Sequence, residues 1–145
     1  MTTSTRYSIQ SNFEEVSQLG QTIHKMVLDA GMGEFDSAMV ELGVVEALNN
    51  VIEHAYQLQP NHKIKVIFEA STNYVVIHII DTGIAMEKSL FSVKDNQEEV
   101  NEHTTLEEIP EGGWGLELIK SIMDEVSYKS EGAINQLKLL KKKNE

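Results

Sequence analysis

The stretch EGGWGLELIKSIMDEV, Glu111 to Val126, sets glycines at 112, 113 and 115 directly ahead of an apolar helical pattern. Glycine loses more backbone freedom on folding than any other residue and starts helices poorly, so bare backbone is needed at that point. Successive N–H groups exposed at the positive end of a helix dipole bind phosphate without cationic side chains. A tight loop that lets a helix pack closely asks for the same residues, and this stretch alone leaves both readings open. Two common glycine motifs are excluded: there is no G-x-x-x-x-G-K-[ST], and Leu118 stands where a dinucleotide fold requires a third spaced glycine.

Working outward, the segment SAMVELGVVEALNNVIEHAYQ, residues 37–57, predicts a helix with Asp36 as N-cap and an end before Pro60. It is apolar around most of its circumference and is expected to be buried. Glu46 and Asn50 nevertheless interrupt it four positions apart, about 40° apart on one face, with His54 one turn further. A solvated helix edge would explain such a pair taken alone. The surrounding Val44, Val45, Ala47, Leu48, Val51 and Ile52 argue instead for a carboxylate that is paired or employed. A second polar spot is IIDTGIAM, residues 79–86, where Asp81 ends a β-branched run and Gly83 follows. This is a turn after a strand, or a carboxylate at a sheet's edge beside backbone that a flat ligand can approach closely. An aspartic-protease reading of DTG is disfavoured, because one such triplet would need a dimer and the helical pattern around it is wrong.

The remaining chain supplies a frame for these spots. RYSIQS (6–11) predicts a short strand, and Asn12 with Glu15 forms a capping box for a helix whose apolar residues Val16, Leu19, Ile23, Met26, Val27 and Ala30 keep period until GMG at 31–33. KIKVIFEAS and NYVVIHII, joined near STN, predict an antiparallel hairpin; VSYKS and AINQLKLL, joined by EG, predict a closing one, with KKKNE as a frayed tail. Between them lies KDNQEEVNEHTTLEEIPEGG, acidic and without period, read as a mobile loop. His54, His78 and Trp114 are expected to cap or pack rather than react. The element order predicts an α+β domain: a mixed, mostly antiparallel sheet with helices packed on one face.

Composition narrows the function. A chain of 145 residues with 41% hydrophobic content suits one domain, 1–145. The absence of cysteine removes disulfides and thiolate metal sites, and the five histidines are scattered. A net charge of −11 argues against nucleic acid, and the short basic C-terminus is too isolated to claim a membrane or nucleic-acid role. The acidic surface suits either a basic protein partner or solubility alone. Apolar runs are too short to span a bilayer and the N-terminus lacks a signal-peptide core, so a cytoplasmic protein is expected.

Taken together, VVEALNNVIEHAY, DTG and EGGWGLELIKSIMDEV, in this order and at these separations, resemble the Bergerat-type two-layer α/β sandwich that binds ATP in gyrase, a heat-shock chaperone, histidine kinases and MutL (the GHKL superfamily). The resemblance is closest to the bacterial anti-sigma-factor serine-protein kinases of the RsbW and SpoIIAB type and covers about residues 6–140. It implies Glu46 as general base, Asn50 as Mg²⁺ ligand, Asp81 as acceptor for the adenine amino group and Gly83 as the residue permitting close approach. It further implies that Gly113, Trp114, Gly115 and Leu116 wrap the phosphates and that about 92–112 form a lid. The implied cofactors are ATP and Mg²⁺. The implied partners are an anti-anti-sigma (STAS-type) protein phosphorylated on serine and a sigma factor sequestered by a homodimer. A nucleotide-gated binding module with little turnover stays open as the alternative.

Overall fold

The computed structural model describes residues 2–87 and 116–144. Strand β1 (Thr3–Gln10) leads into helix α1 (Phe13–Asp29), and helix α2 (Glu34–Asn50) continues into a π-helical turn, Val51–Ala55. The hairpin β2 (Lys63–Ala70) and β3 (Tyr74–Asp81) follows, then helix α3 (Leu116–Ile122) and a second hairpin, β4 (Glu125–Glu131) and β5 (Ile134–Lys142). The five strands form one sheet in the order β1-β2-β3-β5-β4. Every pairing among the described residues is antiparallel, which refines the expected mixed sheet. No helix among the described residues is long and apolar enough to cross a membrane.

Local sequence accounts for most of these boundaries. The Asn12 side chain accepts from the Glu15 N–H at 2.9 Å while Glu15 Oε1 accepts from the Gln10 N–H at 3.4 Å, so the cap forms and the return bond falls two residues ahead of the N-cap N–H that the standard box uses. Such a cap contributes about 1 kcal/mol. Helix α1 ends ahead of Gly31, whose φ of 99° is left-handed. The second helix starts earlier than expected. Its N-cap is Gly33, and Ser37 Oγ donates to the Gly33 carbonyl at 2.8 Å, so Asp36 lies in the first turn, favourable to the helix dipole, and does not cap.

Helix α2 is buried on several sides because α1, α3 and the sheet all pack on it; Val40, Val44, Leu48 and Ile52 are enclosed together with Ile23 of α1 and Ile119 of α3. Each such side chain contributes about 1.5–3 kcal/mol by burial. Strand β2 alternates as its sequence does, Ile64, Val66 and Phe68 inward and Lys63 and Lys65 outward. Strand β3 is central and buries Val75, Val76, Ile77 and Ile79, hence an apolar run interrupted only by His78. The C-terminal lysines are ordered rather than frayed. Lys141 Nζ donates to the Ile122 carbonyl at 2.9 Å, and Lys143 donates from its backbone N–H to the Asn73 carbonyl at 2.8 Å and from Nζ to the Ser71 carbonyl at 2.6 Å.

Candidate functional site

The α-helical hydrogen bonding of α2 gives way at Asn50. From Val51 the turn widens, with the Tyr56 N–H bonding back to the Val51 carbonyl at 2.8 Å and the Leu58 N–H to the Ile52 carbonyl at 2.7 Å. The single helix expected to 57 is therefore an α-helix closed by a π turn, a feature that recurs at functional sites. Gln57 and Leu58 then adopt left-handed backbone, φ 51° and 65°, at a cost of roughly 1 kcal/mol or more each. What offsets that cost is the placement of Ala55 and Tyr56 against the loop after β3.

Three contacts hold that loop. The Ile84 N–H donates to the Ala55 carbonyl at 2.9 Å. The buried Tyr56 hydroxyl donates to the Lys63 carbonyl at 2.6 Å and accepts from the Thr82 N–H at 3.0 Å, while its ring stacks on His62. Gly83 lies so close to Ala55 that a Cβ there would stand 2.4 Å from the Ala55 carbonyl oxygen. Gly83 is thus required for the loop to approach the end of the helix, a physical reason different from the ligand approach expected of it. Tyr56 was not singled out by the sequence, since a buried tyrosine reads as core until its hydroxyl partners are known.

Asp81 is 6% exposed at the end of β3. Its Oδ1 accepts from the Gly83 N–H at 2.9 Å and from Asn135 Nδ2 at 2.8 Å. Burial pushes its carboxyl above the ordinary carboxylate range, and the Asn135 and Gly83 donors pull in the opposite direction without cancelling the rise. On α2, Glu46 is half-buried and Asn50 is 7% exposed one turn on. Desolvation raises the Glu46 carboxyl first, and the negative charge of Glu53 raises it further. Asn49 Oδ1 is buried without a hydrogen-bond partner. His54 is exposed, 3.9 Å from Glu53, and His78 bridges Glu69 and Gln136 at 2.9 Å each on the open face of the sheet.

The first two motifs are therefore joined directly, through Ala55, Tyr56 and Gly83. The third reaches the same helix: Gly43 of α2 lies against Met123, just beyond α3, and Leu116 is buried at the head of α3. Gly113, Trp114, Gly115 and the lid expected at 92–112 lie outside the described residues. A cavity lined by Thr3, Met26, Phe68 and Lys143 sits at the opposite end of the strands from Asp81 and belongs to a different surface.

The donor set suits a hydrated Mg²⁺ and a purine nucleotide. The amide oxygen of Asn50 is a hard ligand of the kind Mg²⁺ takes, beside the carboxylate of Glu46 one turn earlier on the same face. Among the described residues no group of three acidic, histidine or cysteine side chains forms a metal cage of its own. Asp81 offers a buried acceptor at the end of a strand, suited to an amino group on a flat ring.

Comparison with known proteins shows the family. The family model described as histidine kinase-like ATPase domain matches residues 9–141. The serine-protein kinase RsbW of Staphylococcus epidermidis is 31% identical over 137 residues, 92% of this chain and 85% of that protein. The protein of the same name from Staphylococcus aureus strain MSSA476 is 32% identical over the same span. A crystal structure of the RsbU and RsbW domains of a Mycobacterium tuberculosis protein superposes on 96% of this chain with a TM-score of 0.64 at 14% identity, and this chain spans 31% of that longer one. The chain belongs to the histidine kinase-like ATPase domain family, on the branch of the RsbW serine-protein kinases.

Proposed function

We propose that this chain is one ATP-binding domain that phosphorylates a serine of a small anti-anti-sigma (STAS-type) partner and, as a homodimer, sequesters a sigma factor in the same switch. The reading rests on one observation above others: Glu46 and Asn50 share the last α-helical turns of α2, and the following turn is locked by Gly83 and Tyr56 to the loop carrying buried Asp81. Residues 35 positions apart, Glu46 and Asp81, are thereby tied together through one set of contacts.

Bound Mg²⁺-ATP supplies the γ-phosphoryl group, which forms a bond to the serine oxygen as its bond to the ADP leaving group breaks. Asp81 accepts from the adenine amino group, where guanine presents an acceptor. Gly83 keeps that carboxylate in place. Asn50 would hold Mg²⁺ through its amide oxygen, and backbone amides of Gly113, Trp114, Gly115 and Leu116 would hold the phosphate tail. Glu46 takes the proton from the serine hydroxyl. Its raised proton affinity, caused by burial and by Glu53, makes it a better base while leaving it ionised above its own pKa.

The segment from 92 to 112 favours a second reading, because Lys94 is its single lysine or arginine among seven acidic residues. It adds little positive charge to a triphosphate, as suits a nucleotide-gated binding module with small turnover. Incubation with Mg²⁺-ATP and the cognate partner distinguishes the two. Phosphoserine is expected with the wild type, and Glu46→Gln is expected to keep ATP affinity while transfer falls by 100-fold or more, in line with the loss of a general base, typically about 10²–10⁴-fold. Equal transfer by both proteins would remove Glu46 from the chemistry; no transfer by either, with ATP bound, would establish the binding module.

A further inference from the structure

Asn135 carries no signal in the sequence, yet it is 2% exposed and makes three hydrogen bonds in the middle of the site. It stands opposite Asp81 in the β3–β5 register. Its Nδ2 donates to Asp81 Oδ1 at 2.8 Å and to the Gly83 carbonyl at 2.9 Å, and its Oδ1 accepts from Ser130 Oγ at 2.6 Å. The amide orientation is fixed by this chemistry. A flipped side chain would set its oxygen against a carboxylate and a carbonyl, neither of which donates. With the Gly83 N–H as well, Asp81 Oδ1 has two donors, so Oδ2 is the oxygen with acceptor capacity to spare.

We propose that Asn135 is the positioning residue of Asp81, fixing its carboxylate so that Oδ2 alone is offered to the ligand, and so sets the preference of the site for a ring bearing an amino donor over one bearing an acceptor. The proposal rests on the reading of Asp81 as the adenine acceptor. The donors on Oδ1 also oppose the effect of burial and so favour the ionised form of Asp81. That form attracts the amino group of adenine and repels the ring oxygen of guanine, whereas a protonated or rotated carboxyl can donate to that oxygen. Tyr128 of β4 is the neighbouring ionisable group that feels the Asp81 charge; its hydroxyl accepts from the Met86 N–H at 3.0 Å, and burial, the main cause, pushes it above its ordinary value, so it stays neutral in the range that matters.

The test is calorimetric titration of ATP and of GTP, each with Mg²⁺, between pH 5.5 and 8.5, on wild type, Asn135→Ala, Asn135→Thr and Asp81→Asn, with circular dichroism as the folding check. Asn135→Ala is expected to weaken ATP by roughly tenfold, as for loss of one hydrogen bond to a charged group. It is also expected to narrow the ATP-to-GTP ratio and to move the acid loss of ATP affinity to higher pH, because Asp81 then protonates more easily. Asn135→Thr, which keeps one donor, should restore part of both the ratio and the pH profile, and it carries the test should the alanine variant not fold. An equal loss for both nucleotides with an unshifted pH profile would reduce Asn135 to a structural role and overturn the proposal. Wild-type ATP binding by Asp81→Asn would instead overturn the reading of Asp81 on which it stands.

Discussion

Glu46 is tuned by two causes of different reach: loss of water around the half-buried helix face, then the charge of Glu53 two turns further along. The second can be removed without touching the first. In the Glu53→Gln variant the Glu46 carboxyl ionises at lower pH, so the acidic limb of the phosphotransfer rate should move to lower pH while the plateau above it keeps its height. Rate measurement across pH 5 to 8 checks this; an unmoved limb would mean that a different group controls it. The sign for stability is opposite to that of an ordinary paired carboxylate. Because its folded pKa is raised, the uncharged form of Glu46 is the one the fold favours, and that contribution is lost as pH rises through the folded value. Charge at this position is therefore tolerated by the fold at neutral pH, as is usual where a group serves chemistry.

Helices α1 and α2 are clasped by a histidine between two carboxylates. His24 Nδ1 lies 2.7 Å from Glu41 Oε1 and Nε2 lies 2.8 Å from Glu34 Oε1. Carboxylates only accept, so both contacts are satisfied only when both ring nitrogens carry protons. The hydrogen bond to Glu41 raises the His24 pKa most, desolvation lowers it less, and Glu34 adds to the rise. A raised folded pKa means the clasp contributes fully below the unfolded value of 6.5 and is lost as pH climbs through the folded value. Wild type should exceed His24→Gln in thermal stability at pH 6 and lose that advantage by pH 9; a constant difference would show that the ring only packs. None of this pairing was legible in sequence, because it joins residues on two helices. What was legible was local: the Asn12 cap, the alternation of β2, the β-branched run of β3 and the glycine that turns the last hairpin. The misplaced Asp36 cap and the supposedly frayed lysines share a cause. Gly33 carries no capping side chain to reveal itself, and the partners of Lys141 and Lys143 lie at Ile122 and at Ser71 and Asn73, far away in the chain.

Across the whole molecule the candidate site is where distant pieces meet, and only the identities of those pieces were visible beforehand. Glu46, Asn50 and Asp81 stood out as polar groups in apolar surroundings; Asn135, 54 residues from Asp81, and the Tyr56 clamp required the β3–β5 register and the π turn to be known. A nucleotide that touches α2, the end of β3 and the head of α3 at once would link segments that share one apolar core, so its binding free energy should appear as stability of the entire fold. At a nucleotide concentration 100 times the dissociation constant, that linkage adds about 2.7 kcal/mol. For a chain of this length the corresponding rise in Tm is about 10 °C. Mg²⁺-ATP should produce such a shift by differential scanning calorimetry. GTP should produce far less, because Asp81 meets an acceptor, and ATP with a chelator should fall between the two, because the adenine contact survives while the metal contact of Asn50 does not. Equal shifts with ATP and GTP would show that the phosphates alone are bound and that the buried carboxylate at the end of β3 serves the fold rather than the base. A shift unaffected by chelation would take the metal away from Asn50 and leave its burial beside Asn49 to be explained by packing.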